Sequence, residues 1–151
     1  MSQASIDPGQ LRVFVYDHIV ASGGPPTSRQ IGEHFGVSAE DALRAIREVK
    51  IGKTILPHPK TGEIWMAGPF ASYRSDYEVR GRDARWWANC AWDMLGVAQL
   101  VGEPVRIETR CGCCEAPISI EADANSEPVD AGYVVHFLVP ARHWYDDIGF
   151  T

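Results

Sequence analysis

Apolar residues recur with a helical period near the start of the chain. Leu11, Phe14, Val15, His18 and Ile19 fall at i, i+3, i+4, i+7 and i+8, and the run stops at Gly23-Gly24-Pro25-Pro26. Thr27 is placed to cap a short second helix, Ser28 to Phe35, which Gly36 ends. Ser38 followed by Asp41 resembles a capping box with a shortened carboxylate arm. The third helix then turns Ala42, Leu43, Ile46 and Val49 inward and Arg44, Arg47 and Lys50 outward. Two apolar strand-like pieces, Thr54 to Leu56 and Ile64 to Met66, flank the turn signal Pro59-Lys60-Thr61-Gly62. Three helices and a hairpin in this order predict a winged helix-turn-helix-like module over residues 1–67.

The pattern then changes. Residues 68–82 read as extended, with Tyr73, Tyr77 and Val79 among polar positions and Gly81 as a break. From Asp83 to about Val101 the spacing of Trp86, Trp87, Cys90, Trp92, Asp93, Met94, Leu95 and Leu100 predicts a Trp-rich amphipathic helix. Short strands are expected at Val105 to Arg110, Ile118 to Ala122 and Tyr133 to Val139, separated by turns rich in Gly, Pro, Asn and Asp. The fold class is therefore α+β: the winged-helix-like module, then a helix and a small, mainly antiparallel sheet in a second domain over residues 68–151.

Composition narrows the function. The chain has 151 residues, 45% of them hydrophobic, and a net charge of −6. That length suits one ordinary domain or two small modules sharing a core. The negative balance argues against a general nucleic-acid or anionic-membrane binder, whose affinity comes from basic residues. Arg44, Arg47 and Lys50, with Lys53 and Lys60 near the wing, are the residues that would touch phosphates in a winged-helix regulator. Glu40, Asp41 and Glu48 share the third helix with them, so nucleic acid is the disfavoured partner. No apolar run approaches the ~20 residues that span a bilayer. The first ten residues, MSQASIDPGQ, lack the basic and apolar regions of a signal peptide. A cytoplasmic location is the expectation, with thiols held reduced.

All four cysteines, Cys90, Cys111, Cys113 and Cys114, fall in the second half. Cys111-Gly112-Cys113-Cys114 contains a C-x-x-C spacing that suits half of a tetrahedral zinc site, and a soft-metal site for zinc or copper stays open. No second tight pair follows, and the alternative is a turn between two strands whose cysteines are small buried residues. Cys90 and Asp93 form the sharper pair. At i, i+3 on a helix they share one face. A carboxyl group on an apolar face loses hydration and keeps its proton to higher pH, while a neighbouring thiol is a ligand for soft metals.

From about Ala67 to Thr151 the sequence resembles the alkylmercury (organomercurial) lyase family. The resemblance is carried by Trp87-Ala-Asn-Cys90-Ala-Trp-Asp93-Met-Leu-Gly, Ile107-Glu-Thr-Arg-Cys111 and Ala116-Pro-Ile-Ser-Ile. It continues through Val134-Val-His-Phe-Leu-Val-Pro140 and His143-Trp-Tyr-Asp-Asp-Ile-Gly-Phe-Thr151. It implies an enzyme that cleaves a carbon–mercury bond by protonolysis, giving a hydrocarbon and Hg(II). Cys90 would be the thiolate ligand of mercury, Asp93 the proton donor and transient ligand, and Cys111 a mainly structural cysteine. No redox cofactor is implied. The substrate would be a small organomercurial, and cellular thiols or a mercuric reductase would accept the product. The winged-helix-like half would be structural. The family's second catalytic cysteine follows the stretch matching Asp146 to Thr151, so the expectation is either a truncated chain or a thiolate supplied by Cys113 or Cys114. A non-catalytic soft-metal binder or sensor using the same cysteines is the alternative reading.

Overall fold

The computed structural model describes residues 5–49, 54–125 and 132–149. Lys50 and Lys53, two of the candidate phosphate contacts, and Phe150 and Thr151, which end the last family-like stretch, lie outside them.

The first three helices form where capping and periodicity place them. Helix α1, Pro8–Ser22, begins at Asp7, whose side chain accepts from the Gln10 N–H, and Pro8 occupies the first turn, where its missing N–H costs nothing. It buries Leu11, Val15 and Ile19. Helix α2, Ser28–Phe35, carries a complete capping box: Thr27 accepts from the Gln30 N–H, and the Gln30 side chain accepts from the Thr27 N–H. Helix α3, Ala39–Glu48, is capped by Ser38 and buries Ala42, Ala45 and Ile46, with Val49 buried just past its end. Arg44, expected to face outward, is ion-paired with Asp41 one turn earlier.

Seven strands follow: β1 Ile55–Pro57, β2 Ile64–Ala67, β3 Phe70–Ala71, β4 Glu78–Arg80, β5 Arg85–Ala88, β6 Val105–Arg110 and β7 Pro117–Ala122. They make one antiparallel sheet in the order β1-β2-β3-β5-β4-β6-β7. Helix α4, Ala91–Val101, lies between β5 and β6 in sequence. Hydrogen bonds from β2 to β3 carry the sheet across residue 67 without a break. One apolar cluster likewise joins Leu11, Ile31 and Ile46 of the helices to Phe70, Trp86, Val97 and Ile107. The α+β class therefore holds.

Two expected elements differ. The single helix from Asp83 to Val101 is a strand followed by a shorter helix. Along β5 the side chains alternate in burial, with Trp86 and Ala88 inward and Arg85 and Trp87 toward the other face, which is the two-residue period of a strand. Pairing with β3 on one side and β4 on the other outweighs the helical spacing of the tryptophans, and aromatic residues fit a pleated surface well. The strand expected at Tyr133 to Val139 is also not formed. Residues 133–139 make no regular element, and Val134 and Leu138 are 90% and 80% exposed. An apolar run makes a strand only where it finds a partner edge, and this segment instead runs beside the cavity described below.

The helices are tied to the sheet at points that bear on the site. Trp86, 1% exposed, donates its indole N–H to the Ile19 carbonyl at 2.8 Å. Gly23 ends α1 with φ +86°, and a Cβ there would stand 2.5 Å from the Arg85 carbonyl oxygen, so only glycine allows the helix end to meet β5 so closely. Tyr16 donates its hydroxyl to the Gly68 carbonyl at 2.6 Å.

Candidate active site

The β3–β5 pairing sets Phe70 opposite Ala88, so the chain leaving β5 passes directly beside the Gly68-Pro69-Phe70 turn. Asn89, the next residue, fastens the two together. Its backbone N–H donates to the Pro69 carbonyl, and its side-chain amide lies 3.1 Å from the Pro69 carbonyl and 3.3 Å from that of Phe70. The same amide nitrogen lies 3.1 Å from Asp93 Oδ2. Three oxygen acceptors around one nitrogen fix which end of the amide faces them. Asn89 Oδ1, on the other side, is buried without a hydrogen-bond partner among the described residues.

Cys90 is the residue that starts α4. Its backbone is extended, its carbonyl accepts the first helical bond from Met94, and its side chain makes no capping hydrogen bond of good geometry. Asp93 sits in the first turn. Cys90 and Asp93 are therefore related as a helix cap and the third residue of the helix, rather than as two positions on a mid-helix face. That spacing brings side chains at a helix start toward each other, and each of the two groups shifts the acidity of the other.

Their acidities are shifted for identifiable reasons. Burial pushes the Asp93 carboxyl above the usual carboxylate range, and the donors Asn89 and Cys90 only partly oppose it. Burial likewise raises the Cys90 thiol. The backbone N–H groups of Asp93 and Trp92 pull the other way, as helix starts do, and the nearby Asp93 charge adds to the rise. Desolvation is the largest influence on both, so both groups keep their protons to higher pH than exposed counterparts would.

Both line a cavity of about 470 Å³. Its floor comes from the sheet, with Leu56, Met66 and Gly68; Tyr73 and Tyr77 flank the thiol; and Phe137, Trp144, Tyr145, Ile148 and Gly149 form the opposite wall. The phenols of Tyr73 and Tyr77 are raised in pKa, first by burial and then by neighbouring acidic groups including Cys90. Ser75 holds Tyr77 in place, accepting its N–H while donating to the Ala88 carbonyl. A smaller cleft of about 190 Å³ reaches Cys90 from the side of residues 135–139. The far wall is itself ordered by aromatic contacts, Phe137 against Trp92 and Trp144, and by the Trp144 indole donating to the Val139 carbonyl.

Of the residues expected from sequence to form the site, Cys90 and Asp93 are brought together. Cys111, Cys113 and Cys114 occupy the tip of the β6–β7 hairpin, and none of them lines the cavity. Among the described residues no group of three or more His, Cys, Asp or Glu side chains is placed to hold one metal ion, so the half-site for tetrahedral zinc finds no completing ligands there. Sequence reasoning overlooked Asn89 and the aromatic wall. The signal for Asn89 was its place four residues before Asp93 at the mouth of a helix; the wall, built from a segment without regular structure, had none.

The fold and site together define an α+β protein whose cavity presents one thiol beside one desolvated carboxyl group. A model of the MerB family, alkylmercury lyase, matches residues 70–150, slightly more than half of the chain. The chain belongs to the alkylmercury lyase family. It is similar in structure to a protein described as the mercury-bound form of MerB2, with a TM-score of 0.60 and 14% sequence identity over 78% of this chain. That alignment takes in 56% of the MerB2 chain, so the present chain spans little more than half of that protein's length. At this identity the likeness speaks for the fold. No curated protein matches the sequence. Among the described residues no helix is long and apolar enough to cross a membrane.

Proposed function

We propose that the protein is an organomercurial lyase that cleaves carbon–mercury bonds by protonolysis, with Cys90 as the mercury ligand and Asp93 as the proton donor. The observation that carries this reading is the placement of a thiol and a desolvated carboxyl group at one helix start, both lining one cavity. Mercury in the reaction is substrate and product; the chemistry needs no resident metal and no redox cofactor.

The steps follow from the two groups. An organomercurial thiolate enters, and the Cys90 sulfur bonds to mercury as its proton passes to solvent, while the substrate's thiolate stays on the metal. Metal binding drives that deprotonation even though burial raises the thiol pKa. Sulfur donation weakens the carbon–mercury bond. Asp93 then delivers its proton to the carbon, the bonding electron pair goes into the new C–H bond, and Hg(II) remains on the Cys90 sulfur with the Asp93 carboxylate beside it. The substrate's own thiolate serves as the second sulfur ligand, since Cys90 is the cysteine lining the cavity among the described residues. Leu56, Met66, Tyr73 and Phe137 suit the organic group of the substrate. Cellular thiols or a mercuric reductase then take the ion.

The test is to incubate the reduced protein with a phenylmercury or methylmercury thiolate and measure released hydrocarbon. Turnover by the native chain that disappears with Cys90→Ser and with Asp93→Ala is the expected result. Stoichiometric mercury binding without hydrocarbon release would refute the lyase reading and leave a soft-metal binding protein.

A further inference from the structure

The β6–β7 hairpin carries three thiols that the proposed reaction does not use. Its tip is tightly closed: the Cys111 N–H donates to the Ala116 carbonyl at 2.8 Å, and the Glu115 N–H donates to the Cys111 carbonyl at 2.9 Å. Glu115 takes a left-handed φ of 59° to turn the chain back. The closed turn gathers Cys111, Cys113 and Cys114 at one tip, where the Cys113 and Cys114 N–H groups and the Cys114 thiol lower the Cys111 pKa. Cys113 and Cys114 are exposed and Cys111 is half-buried, so the paired sulfurs are open to solvent. Two thiols three residues apart on a turn closed by two backbone hydrogen bonds have the spacing of a chelating pair for a soft cation.

Strand register relates this pair to Cys90. Glu78 on β4 pairs with Trp87 on β5 and with Glu108 on β6, so those two residues lie level on either side of it. Both strands run antiparallel to β4 and hence parallel to each other. Cys90 follows Trp87, and Cys111 follows Glu108, by the same number of residues. Trp87 and Glu108 therefore stand two strand spacings, or about 10 Å, apart, and the chains that lead to Cys90 and Cys111 leave the sheet at the same end.

We propose that Cys111 and Cys114 form a second thiophilic site, a dithiol that binds Hg(II) as a two-coordinate bis-thiolate and is placed to receive the ion from Cys90. The second part rests on the lyase reading. Transfer is ligand exchange with no change of oxidation state. Two Hg–S bonds form to the hairpin sulfurs, the two bonds to the previous ligands break, and the two thiol protons go to the displaced ligands or to solvent. A two-coordinate ion is satisfied by this pair, whereas a tetrahedral ion would need ligands that the described residues do not gather here.

The experiment separates the hairpin from the cavity. Cys90→Ser protein is loaded with mercuric chloride, desalted in excess glutathione, and its bound mercury is measured by mass spectrometry. One ion per chain is expected to survive, because the second hairpin thiol acts at high effective concentration against the free monothiol. Adding Cys114→Ser should lower retention at least tenfold, while adding Cys113→Ser should leave it unchanged, since Cys113 offers Cys111 its backbone N–H. Circular dichroism of these exposed-tip variants checks that the fold is intact. No retention in the Cys90→Ser protein, or equal losses with Cys113→Ser and Cys114→Ser, would overturn the proposal. Hydrocarbon release by the native chain, measured in parallel, keeps the two readings apart: release with no mercury held by the hairpin overturns the second site alone. Mercury held by the hairpin with no release overturns the lyase reading and the hand-off from Cys90, and bears out the dithiol as a site for free Hg(II).

Discussion

Replacing Asn89 with alanine tests whether the proton donor is positioned by its neighbour. The Asn89 amide has two hydrogens shared among three acceptors at 3.1, 3.1 and 3.3 Å, on Pro69, Asp93 and Phe70. At about 1 kcal/mol net per hydrogen bond, losing two costs about 2 kcal/mol. Removing the partnerless Oδ1 offsets part of this, as does the Asn89 backbone bond to Pro69, which alanine keeps. A net destabilisation of about 1 kcal/mol remains, which in urea lowers the midpoint by roughly half a molar for a slope of about 2 kcal/mol/M. The effect on activity should be larger. A carboxyl group freed to move by about 1 Å loses roughly 100-fold in rate. Asn89 also stabilises the charged form of Asp93, so its removal raises the Asp93 pKa further. Activity that depends on protonated Asp93 falls as pH rises through that pKa, and the alkaline limb of the kcat profile should therefore move to higher pH in Asn89→Ala. Hydrocarbon release measured across pH reads both effects. A reduced rate with an unmoved alkaline limb would mean that Asn89 braces the Gly68–Phe70 turn and does nothing for the acid.

Further outcomes follow from the same contacts. The Asp93 pKa is raised on folding, so between its unfolded and folded values the native state binds more protons, and stability falls as pH rises across that window. Asp93→Asn should abolish this dependence and become more stable relative to the native chain from acid to neutral pH in chemical denaturation, while losing roughly 10²–10⁴-fold in turnover; a stability difference that stays constant with pH would contradict the assignment. Trp86→Phe removes the indole bond to Ile19 and leaves a void among residues 1% exposed or less, at a cost of about 1–3 kcal/mol in a thermal melt, although the Ile19 carbonyl keeps its bond from the Gly23 N–H. Gly23→Ala must place a Cβ 2.5 Å from the Arg85 oxygen at φ +86° and should cost about 2 kcal/mol or more, whereas Gly24→Ala, where a Cβ would meet nothing within 4 Å, should cost less than about 1 kcal/mol.

The sequence by itself determined the elements whose causes are local. Asp7, Thr27 with Gln30, and Ser38 start helices because their side chains accept from the N–H groups of their own first turns, and Gly23 and Gly36 end helices because they alone enter the left-handed region readily. It also marked Cys90 and Asp93, read as i, i+3 on one helix face, because residues three apart stay close whether they lie within a helix or at its start. Tertiary structure decided the remainder. Trp86 and Trp87 satisfy a helical period, yet they form a strand because β3 and β4 offer hydrogen bonds on both sides, which no residue near them in sequence could announce. The apolar run from Tyr133 to Val139 lacks such partners among the described residues, and Phe137 becomes a cavity wall instead. The cysteines that sequence grouped as one set of ligands separate into a cavity thiol and three at a hairpin tip, because β4 stands between the strands that lead to them. Burial of Asp93, and with it the retained proton on which the proposed chemistry depends, exists only once the sheet, α4 and the aromatic wall close around it.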